Sequence, residues 1–397
     1  MKKSIRVLLV TAFMIFSFAF LFHAQVYAGI SQLTDDSYSD WDAQVNANGW
    51  VVWHGSEDGD DYEIFLYNGT DTLQLTDNTE EDKYPQINDN GWVVWEGNDG
   101  NDNEIYLYDG TDIIPLSDNS FNDRSPQINN NGWVVWEGED DSSAYYQIYL
   151  CYELPALTQV KFTSTDYNNF NPRINDNGWV IWEAFKEGNR EIFFCDASNL
   201  PGIISEPTQL TDNSSYDGHP RINNNEQVVW DFGTDDNQEI YLCDISDSPL
   251  PSPSQLTENG YRDMHPQIND DGHVVWRGND EGGTIDEIFL YTGTTPATPL
   301  ADNAANGLDP QINNDGYVVW DAGIGDNREI YLYDGRDVIQ ITDNSYDDNS
   351  PQISDAGHVV WHGSPDGTYE IFLYTPDAAE EDDDFCFIST VLGSYKE

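Results

Sequence analysis

One short motif, a run of β-branched residues closed by tryptophan, recurs eight times in this chain, at Trp53, Trp95, Trp136, Trp182, Trp230, Trp276, Trp320 and Trp361. The copies lie 41 to 48 residues apart. Leucine-rich, ankyrin and tetratricopeptide arrays have shorter periods or helical patterns, and no segment here carries an amphipathic-helix period. Each unit reads instead as four short strands. In the second, residues 85–88 form strand a, Asp89-Asn90-Gly91 a tight turn, residues 92–95 strand b, residues 104–108 strand c and residues 114–117 strand d. Strand b is apolar on both faces, so both faces must be covered. Sheets stacked as blades around an axis supply that cover. The expected fold is all-β, a single eight-bladed β-propeller.

The ends of the repeat array predict how the ring closes. Gln32-Leu33-Thr34 reads as a strand d with no a, b or c before it, whereas the last unit supplies a, b and c, ends at Tyr374 and lacks its own d. The N-terminal strand is therefore expected to complete the last blade and hide the edges that an open array would expose. This divides the chain into residues 1–28, a propeller over 29–375, and an acidic linker and tail over 376–397.

Laid out in order, the repeat resembles that of TolB-type β-propellers: a leucine–threonine strand, an Asp three residues before a Pro, and a tight turn ending in glycine. Asp82–Pro85, Asp123–Pro126, Asp217–Pro220, Asp263–Pro266 and Asp348–Pro351 keep the spacing. The turn departs from the family form, with Asn-Asp-Asn-Gly or a close variant in place of Ser-Pro-Asp-Gly. The resemblance covers residues 30–375 and implies the fold; such propellers serve as scaffolds, as gating domains of peptidases and occasionally as lyases. In the tail, Phe385-Cys386-Phe387-Ile388-Ser389-Thr390 and Gly393-Ser394 resemble the start of the CFI-box of exported bacterial proteins, which is normally longer.

The N-terminus predicts the compartment. Lys2, Lys3 and Arg6 precede an apolar run from Val7 to Phe22, and Val26-Tyr27-Ala28 offers small residues for signal peptidase, so cleavage after Ala28 is expected. The run is shorter than the ~20 residues of a bilayer span. Export places the protein in the periplasm, at the cell surface or outside a bacterium. Loss of the leader removes three basic and no acidic groups from a chain of net charge −58. That surplus excludes nucleic acid and anionic lipid as partners. With 13 Trp, 23 Tyr and 17 Phe there is ample apolar surface for a core. Four cysteines do not make a disulfide framework. Cys151, Cys195 and Cys243 occupy one position in three successive repeats and are expected to pack there unbridged.

Three sets of residues are candidates for a site. By strand parity the b–c and d–a loops share one rim, and several are acidic: Asp58, Asp60, Asp99 and Asp102 stand in the first two b–c loops, and the d–a loops add the family Asp. Turn chemistry and solubility explain such residues; calcium is the sharper alternative, although no loop matches the EF-hand pattern. The residues before the prolines should stand at the mouth of the channel: Asp42, Tyr84, Ser125, Asn171, His219, His265, Asp309 and Ser350. His219, His265 and Asp309 come from adjacent blades and offer a metal or acid–base cluster, or merely line a wet channel. Trp50, Trp92, Trp133 and Trp179 open strand b in four consecutive blades, an arc that can stack sugars, grip a protein or pack between blades.

No nucleophile elbow, phosphate loop, Cys-x-x-Cys or His-Glu-x-x-His pattern is present. The expectation is a monomeric, non-catalytic binding or scaffold propeller without a cofactor, calcium excepted, engaging a protein or peptide, a basic one through its acidic face, or else a carbohydrate. The alternative is a metal-assisted lyase or hydrolase with its site at the channel.

Overall fold

The computed structural model describes residues 29–56, 61–140, 143–152, 158–202, 206–234, 237–247, 249–279, 285–300, 306–323 and 327–376. Residues 1–28, where a leader is expected, the tail beyond Pro376, and Asp58 and Asp60 lie outside these. Among the described residues every regular element is a strand, and no helix is long and apolar enough to cross a membrane.

Eight four-stranded antiparallel sheets succeed one another as blades, each packed on the next and blade 8 on blade 1. Blade 1 comprises strands a (Trp41–Val45), b (Val51–Gly55), c (Glu63–Tyr67) and d (Thr72–Gln74). Blade 8 takes a, b and c from Asp348–Ile353, Val359–Gly363 and Glu370–Tyr374, and its strand d from Ile30–Gln32. The closing strand pairs Ile30 with Tyr374, Ser31 with Leu373 and Gln32 with Phe372. It begins two residues earlier than the sequence suggested. Leu33 and Thr34 prolong it through Leu33 N–H to Ile371 O (2.8 Å) and Ile371 N–H to Thr34 Oγ1 (2.9 Å).

The two apolar faces of strand b explain the packing. Val94 faces the Trp136 of the next blade together with Ile105, Leu107, Val134 and Cys151, and an equivalent cluster fills each gap around the ring. Each repeat Trp is at most 2 % exposed and stacks on the aromatic residue directly opposite on strand c, as Trp95 does on Tyr106 at 5.9 Å. Burying one such ring removes roughly 200 Å² from water, worth about 5 kcal/mol before entropy is counted. Cys151, Cys195 and Cys243 are buried in these clusters and not joined in disulfides; burial pushes Cys151 and Cys243 up to about 11.

Strand a starts three residues before its proline, earlier than expected, because it contains a bulge. The register slips between Lys83 and Gln86, and equivalently in all eight blades. The residue before each proline, or before Ala43 in blade 1 (Asp42, Tyr84, Ser125, Asn171, His219, His265, Asp309, Ser350), sits at φ between 48° and 56°. A non-glycine residue in the left-handed region costs on the order of 1–2 kcal/mol. In blades 3 to 6 the N–H of the bulged residue finds a carboxylate on the preceding blade, which helps to hold it.

Candidate functional site

The channel has two chemically different ends. At the a–b turns the Asn of the repeat ties the blades together. Asn46 Nδ2 donates to Asn88 O, Asn88 to Asn129 O, and so on through Asn175, Asn223, Asn269 and Asn313 to Ser354 O, at 2.8–3.0 Å. The next residue repeats the pattern from N–H to carboxyl or amide oxygen, from Ala47 to Asp89 around to Asp355. Asp and Asn alternate there, so Asn130 and Asn224 each donate to carboxylates on both sides. These rings floor a vestibule of about 350 Å³ walled by Ile87, Ile128, Ile174 and their equivalents. What reads in sequence as local turn chemistry is thus an interblade fastening.

At the opposite end, the Asp of the d–a loop turns inward instead of adding to the charged face. Asp82 Oδ1 accepts the indole N–H of Trp95 at 2.8 Å, and Asp123, Asp217, Asp263 and Asp348 do the same for Trp136, Trp230, Trp276 and Trp361. Burial pushes Asp123 and Asp217 up to about 7 and Asp263 and Asp348 to about 6. In blade 7 Gly307 replaces this Asp, and the buried Trp320 Nε1 has no hydrogen-bond partner.

A collar that the sequence reading missed lies just inside the upper mouth. It is formed by the residue after each repeat Trp: His54, Glu96, Glu137, Glu183, Asp231, Arg277, Asp321 and His362. Carboxylates here accept the N–H of the next blade's bulged residue: Ser125 on Glu96 (2.7 Å), Asn171 on Glu137 (2.7 Å), His219 on Glu183 (3.2 Å) and His265 on Asp231 (3.1 Å). Several also hold a cation, as in Arg124–Glu137 (2.5 Å), Arg190–Glu183 (2.7 Å) and Arg328–Asp321. Burial raises Glu96 and Asp321 to about 7. An ionisable residue at one register in an otherwise apolar strand, eight times over, is the signal that could have revealed them.

The channel-mouth residues are brought together only in part. His219 and His265 touch, with ring centroids 4.3 Å apart, and His219 Nδ1 lies 2.8 Å from Asp231 Oδ2. Burial, then the neighbouring His219, lowers His265 to about 4. Asp231 therefore supplies the carboxylate of this group, and no contact joins Asp309 to the histidines among the described residues. Asp42 lies 3.7 Å from His54, and the exposed Tyr84 stands edge-on to the same ring. Asn171 bonds the carboxylates of two blades, Glu137 through its N–H and Glu183 through its amide at 3.3 Å.

Below the collar, the residues after the prolines, or after Ala43 in blade 1, are Gln44, Gln86, Gln127, Arg173, Arg221, Gln267, Gln311 and Gln352. Arg221 Nε donates to Gln267 Oε1 at 3.0 Å, and both arginines donate to the carbonyls of their own prolines. Among the described residues neither makes an ion pair. Burial and the adjacent Arg173 bring Arg221 down to about 9.

The tryptophan arc is interblade wedging. Trp50, Trp92 and Trp133 are half-buried, and a methyl group added to Gly91, Gly132 or Gly178 of the following blade would collide with them. Trp179 packs on Phe194 at 5.8 Å. Of the b–c loop acids, Asp99 is exposed and caps its own loop by accepting the N–H groups of Asn101 and Asp102, hydrogen bonds that lower its pKa. Asp102 is covered, and neither of its carboxylate oxygens has a hydrogen-bond partner. The upper rim also exposes the residue after the Thr or Ser that follows strand d: Asp35, Asp77, Asp118, Asp212, Glu258 and Asp343. Among the described residues none of these six enters a hydrogen bond or ion pair.

No protein-family model matches the sequence, and no curated protein matches it. Solved structures do. The Dos1 propeller aligns over 87 % of this chain and 93 % of its own, at 12 % identity and TM-score 0.59. The β-propeller domain of the Trilobed protease from Pyrococcus furiosus, described as having an open velcro topology, aligns over 85 % and 95 % at 13 % identity and TM-score 0.53. A puromycin hydrolase aligns over 83 % of this chain at 10 % identity and TM-score 0.58, and the chain spans 60 % of its length. At such low identity the likeness concerns backbone alone, and by that measure this chain is a β-propeller.

Proposed function

We propose that the protein is an exported, non-catalytic binding propeller that engages a basic protein or peptide through its upper rim. The observation that carries this reading is the set of six exposed carboxylates at equivalent positions, Asp35, Asp77, Asp118, Asp212, Glu258 and Asp343, none used by the fold. The buried acids of the collar and of the Asp–Trp pairs are, by contrast, committed to backbone and indole N–H groups. A ring of one sign steers oppositely charged partners, with an effect that physiological salt screens over about 8–10 Å. Replacing the six by Asn or Gln tests it. Wild-type protein should retain a basic partner from the cell-envelope fraction at low salt, and both the substitutions and high salt should abolish retention. Equal retention by the two proteins would refute the assignment to this rim.

A second reading rests on the His219–His265–Asp231 group, an imidazole pair with a carboxylate behind it, as a metal-assisted or acid–base centre. Asp231 is also bound to the His265 backbone, which favours a structural role. A stoichiometric transition metal in purified protein, lost on His219→Ala, would reverse that preference.

A further inference from the structure

The seam that closes the ring differs from its siblings in one side chain. At five other seams a strand-d Asn uses its amide to bind the d–a Asp: Asn78 to Asp82 (2.6 Å), Asn119 to Asp123 (2.5 Å), Asn213 to Asp217 (2.6 Å), Asn259 to Asp263 (2.8 Å) and Asn344 to Asp348 (2.5 Å). The same Asn takes the N–H two residues on through Oδ1, as from Glu80 to Asn78 at 2.7 Å, and its own N–H goes to the strand-c Glu, as from Asn78 to Glu63 at 2.8 Å.

At the closing seam Asp36 occupies the Asn position. It keeps the Asn orientation, because Asp36 Oδ1 accepts Tyr38 N–H at 2.7 Å and its backbone N–H is bonded to Glu370. Its second oxygen therefore falls where the siblings place an amide donor, beside Asp40. Carboxylate oxygens of Asp36, Asp40 and Glu370 all lie within 4.8 Å of one another. Asp40 is 3 % and Glu370 1 % exposed, and Asp40 Oδ2 and Glu370 Oε2 are buried without any hydrogen-bond donor. The Glu oxygen is unpartnered in sibling blades too, for example in Glu63 and Glu104. The Asp oxygen is the distinguishing one: every one of the five sibling Asp residues receives an amide there.

Three carboxylates this close, Asp40 and Glu370 buried and Asp36 exposed at the edge, repel unless something positive lies between them. An all-oxygen, all-carboxylate donor set without His or Cys suits a hard cation, and flexible carboxylate geometry suits calcium better than magnesium. We propose that Asp36, Asp40 and Glu370 hold a divalent cation of the calcium type, which clasps the N-terminal strand to the last blade. Asp36 and Asp40 stand just after the closing strand and Glu370 opens strand c of blade 8, so the ion joins the two ends of the propeller. Closure then becomes conditional on the cation, at affinities of the order of 10⁻⁴–10⁻³ M typical of extracellular modules.

The experiment is a melting and calorimetric titration of the leaderless chain, stripped with chelator, with calcium and with magnesium. The wild type should bind one calcium and melt roughly 3–4 °C higher at a hundredfold excess over the dissociation constant, with a smaller response to magnesium. Asp36→Asn restores the sibling arrangement and so should fold; it should lose the calcium shift and melt above the wild type in chelator. Asp343→Asn, an exposed acid outside the cluster, should keep the shift. A calcium shift retained in Asp36→Asn, equal shifts with calcium and magnesium, or no shift in the wild type would overturn the proposal.

Discussion

Ser354 is the one member of the lower ring that cannot pass a hydrogen bond to the next blade. Its hydroxyl is engaged with His358, at 3.3 Å from Nδ1 and 3.2 Å from N–H, and the link to Asn46 is missing. Ser354→Asn should supply it. The following His is no obstacle, since blade 6 combines Asn269 with His273 at the same spacing and keeps both the turn bond (2.9 Å) and the interblade bond (3.0 Å). One added bond to a buried carbonyl is worth about 0.5–1.5 kcal/mol net. The reverse change, Asn88→Ser, removes the amide bond to Asn129 O and shortens the acceptor that holds Asn90 and Trp92 N–H. Its cost should be about 1–3 kcal/mol, because a buried carbonyl loses its donor. In a chain of this size a kilocalorie moves the melting point by only about 1–2 °C, and eight repeats need not unfold as one unit. Hydrogen exchange at the turn amides is therefore the better assay. About 1 kcal/mol corresponds to roughly fivefold slower exchange at Gly49 and Trp50 in Ser354→Asn, and faster exchange at Gly91 and Trp92 in Asn88→Ser. Unchanged exchange in both variants would show that the Asn ring accompanies blade packing without contributing to it.

Deleting residues 29–36 should expose the edge of Glu370–Tyr374 and lower the melting temperature markedly; a truncated protein that melts like the intact one would disprove closure by this strand. Trp230→Phe should destabilise more than Trp320→Phe by about 1–3 kcal/mol in urea unfolding, since only Trp230 has an Asp on its indole N–H; equal losses would deny the Asp–Trp bond its role. The buried acids Glu96, Asp123, Asp217 and Asp321, raised to about 7 chiefly by burial, bind protons more tightly folded than unfolded. Their stabilisation is complete below the ordinary carboxylate range and lost as pH rises through about 7, so melting at pH 5.5 should exceed that at pH 8. His54, lowered to about 3, and His265 and His362, lowered to about 4, act in the opposite sense below 6.5 but are outnumbered; a lower melting point at pH 5.5 would show that they dominate.

Blade number, strand order and ring closure were legible because they follow from counting: eight tryptophans, and an orphan strand d at one end matching a missing one at the other. What escaped was anything decided by side-chain direction. The bulge before each proline moves the start of strand a, and nothing about Tyr84, Asn171 or Asp309 as residue types announces a left-handed backbone. The d–a Asp reads as a surface turn residue until the Trp thirteen positions later is seen to point its N–H at it. The collar after the Trp was overlooked because an acid inside an apolar strand looks like an exposed position. At Glu96, Glu137, Glu183 and Asp231 the acceptor it offers is consumed by the neighbouring blade's backbone.

Eight copies of one unit in a single chain also provide an internal control that one sequence rarely contains. A position that holds one residue type through most blades states what the fold requires, and a departure there must be explained by something other than the fold. Asp36 for Asn, Ser354 for Asn, Ala47 for Asp or Asn, and Gly307 for Asp are such departures, as are Arg173 and Arg221 for Gln. The first three lie where blade 8 meets blade 1, which is where the covalent path around the ring is interrupted and a clasp has most to add. The two arginines come from neighbouring blades in the channel, two residues after Asn171 and His219, and among the described residues put positive charge that makes no ion pair inside a strongly acidic protein. Burial, then the neighbouring Arg173, outweighs the attraction of Glu183 and Asp231 and lowers Arg221 to about 9. If the pair only lined the wall, Arg173→Gln with Arg221→Gln would return the ring to the glutamine found in the other six blades and should raise stability. A partner that depends on the channel should be lost in the same variant. A double variant that is more stable and binds as before would confine recognition to the outer rim.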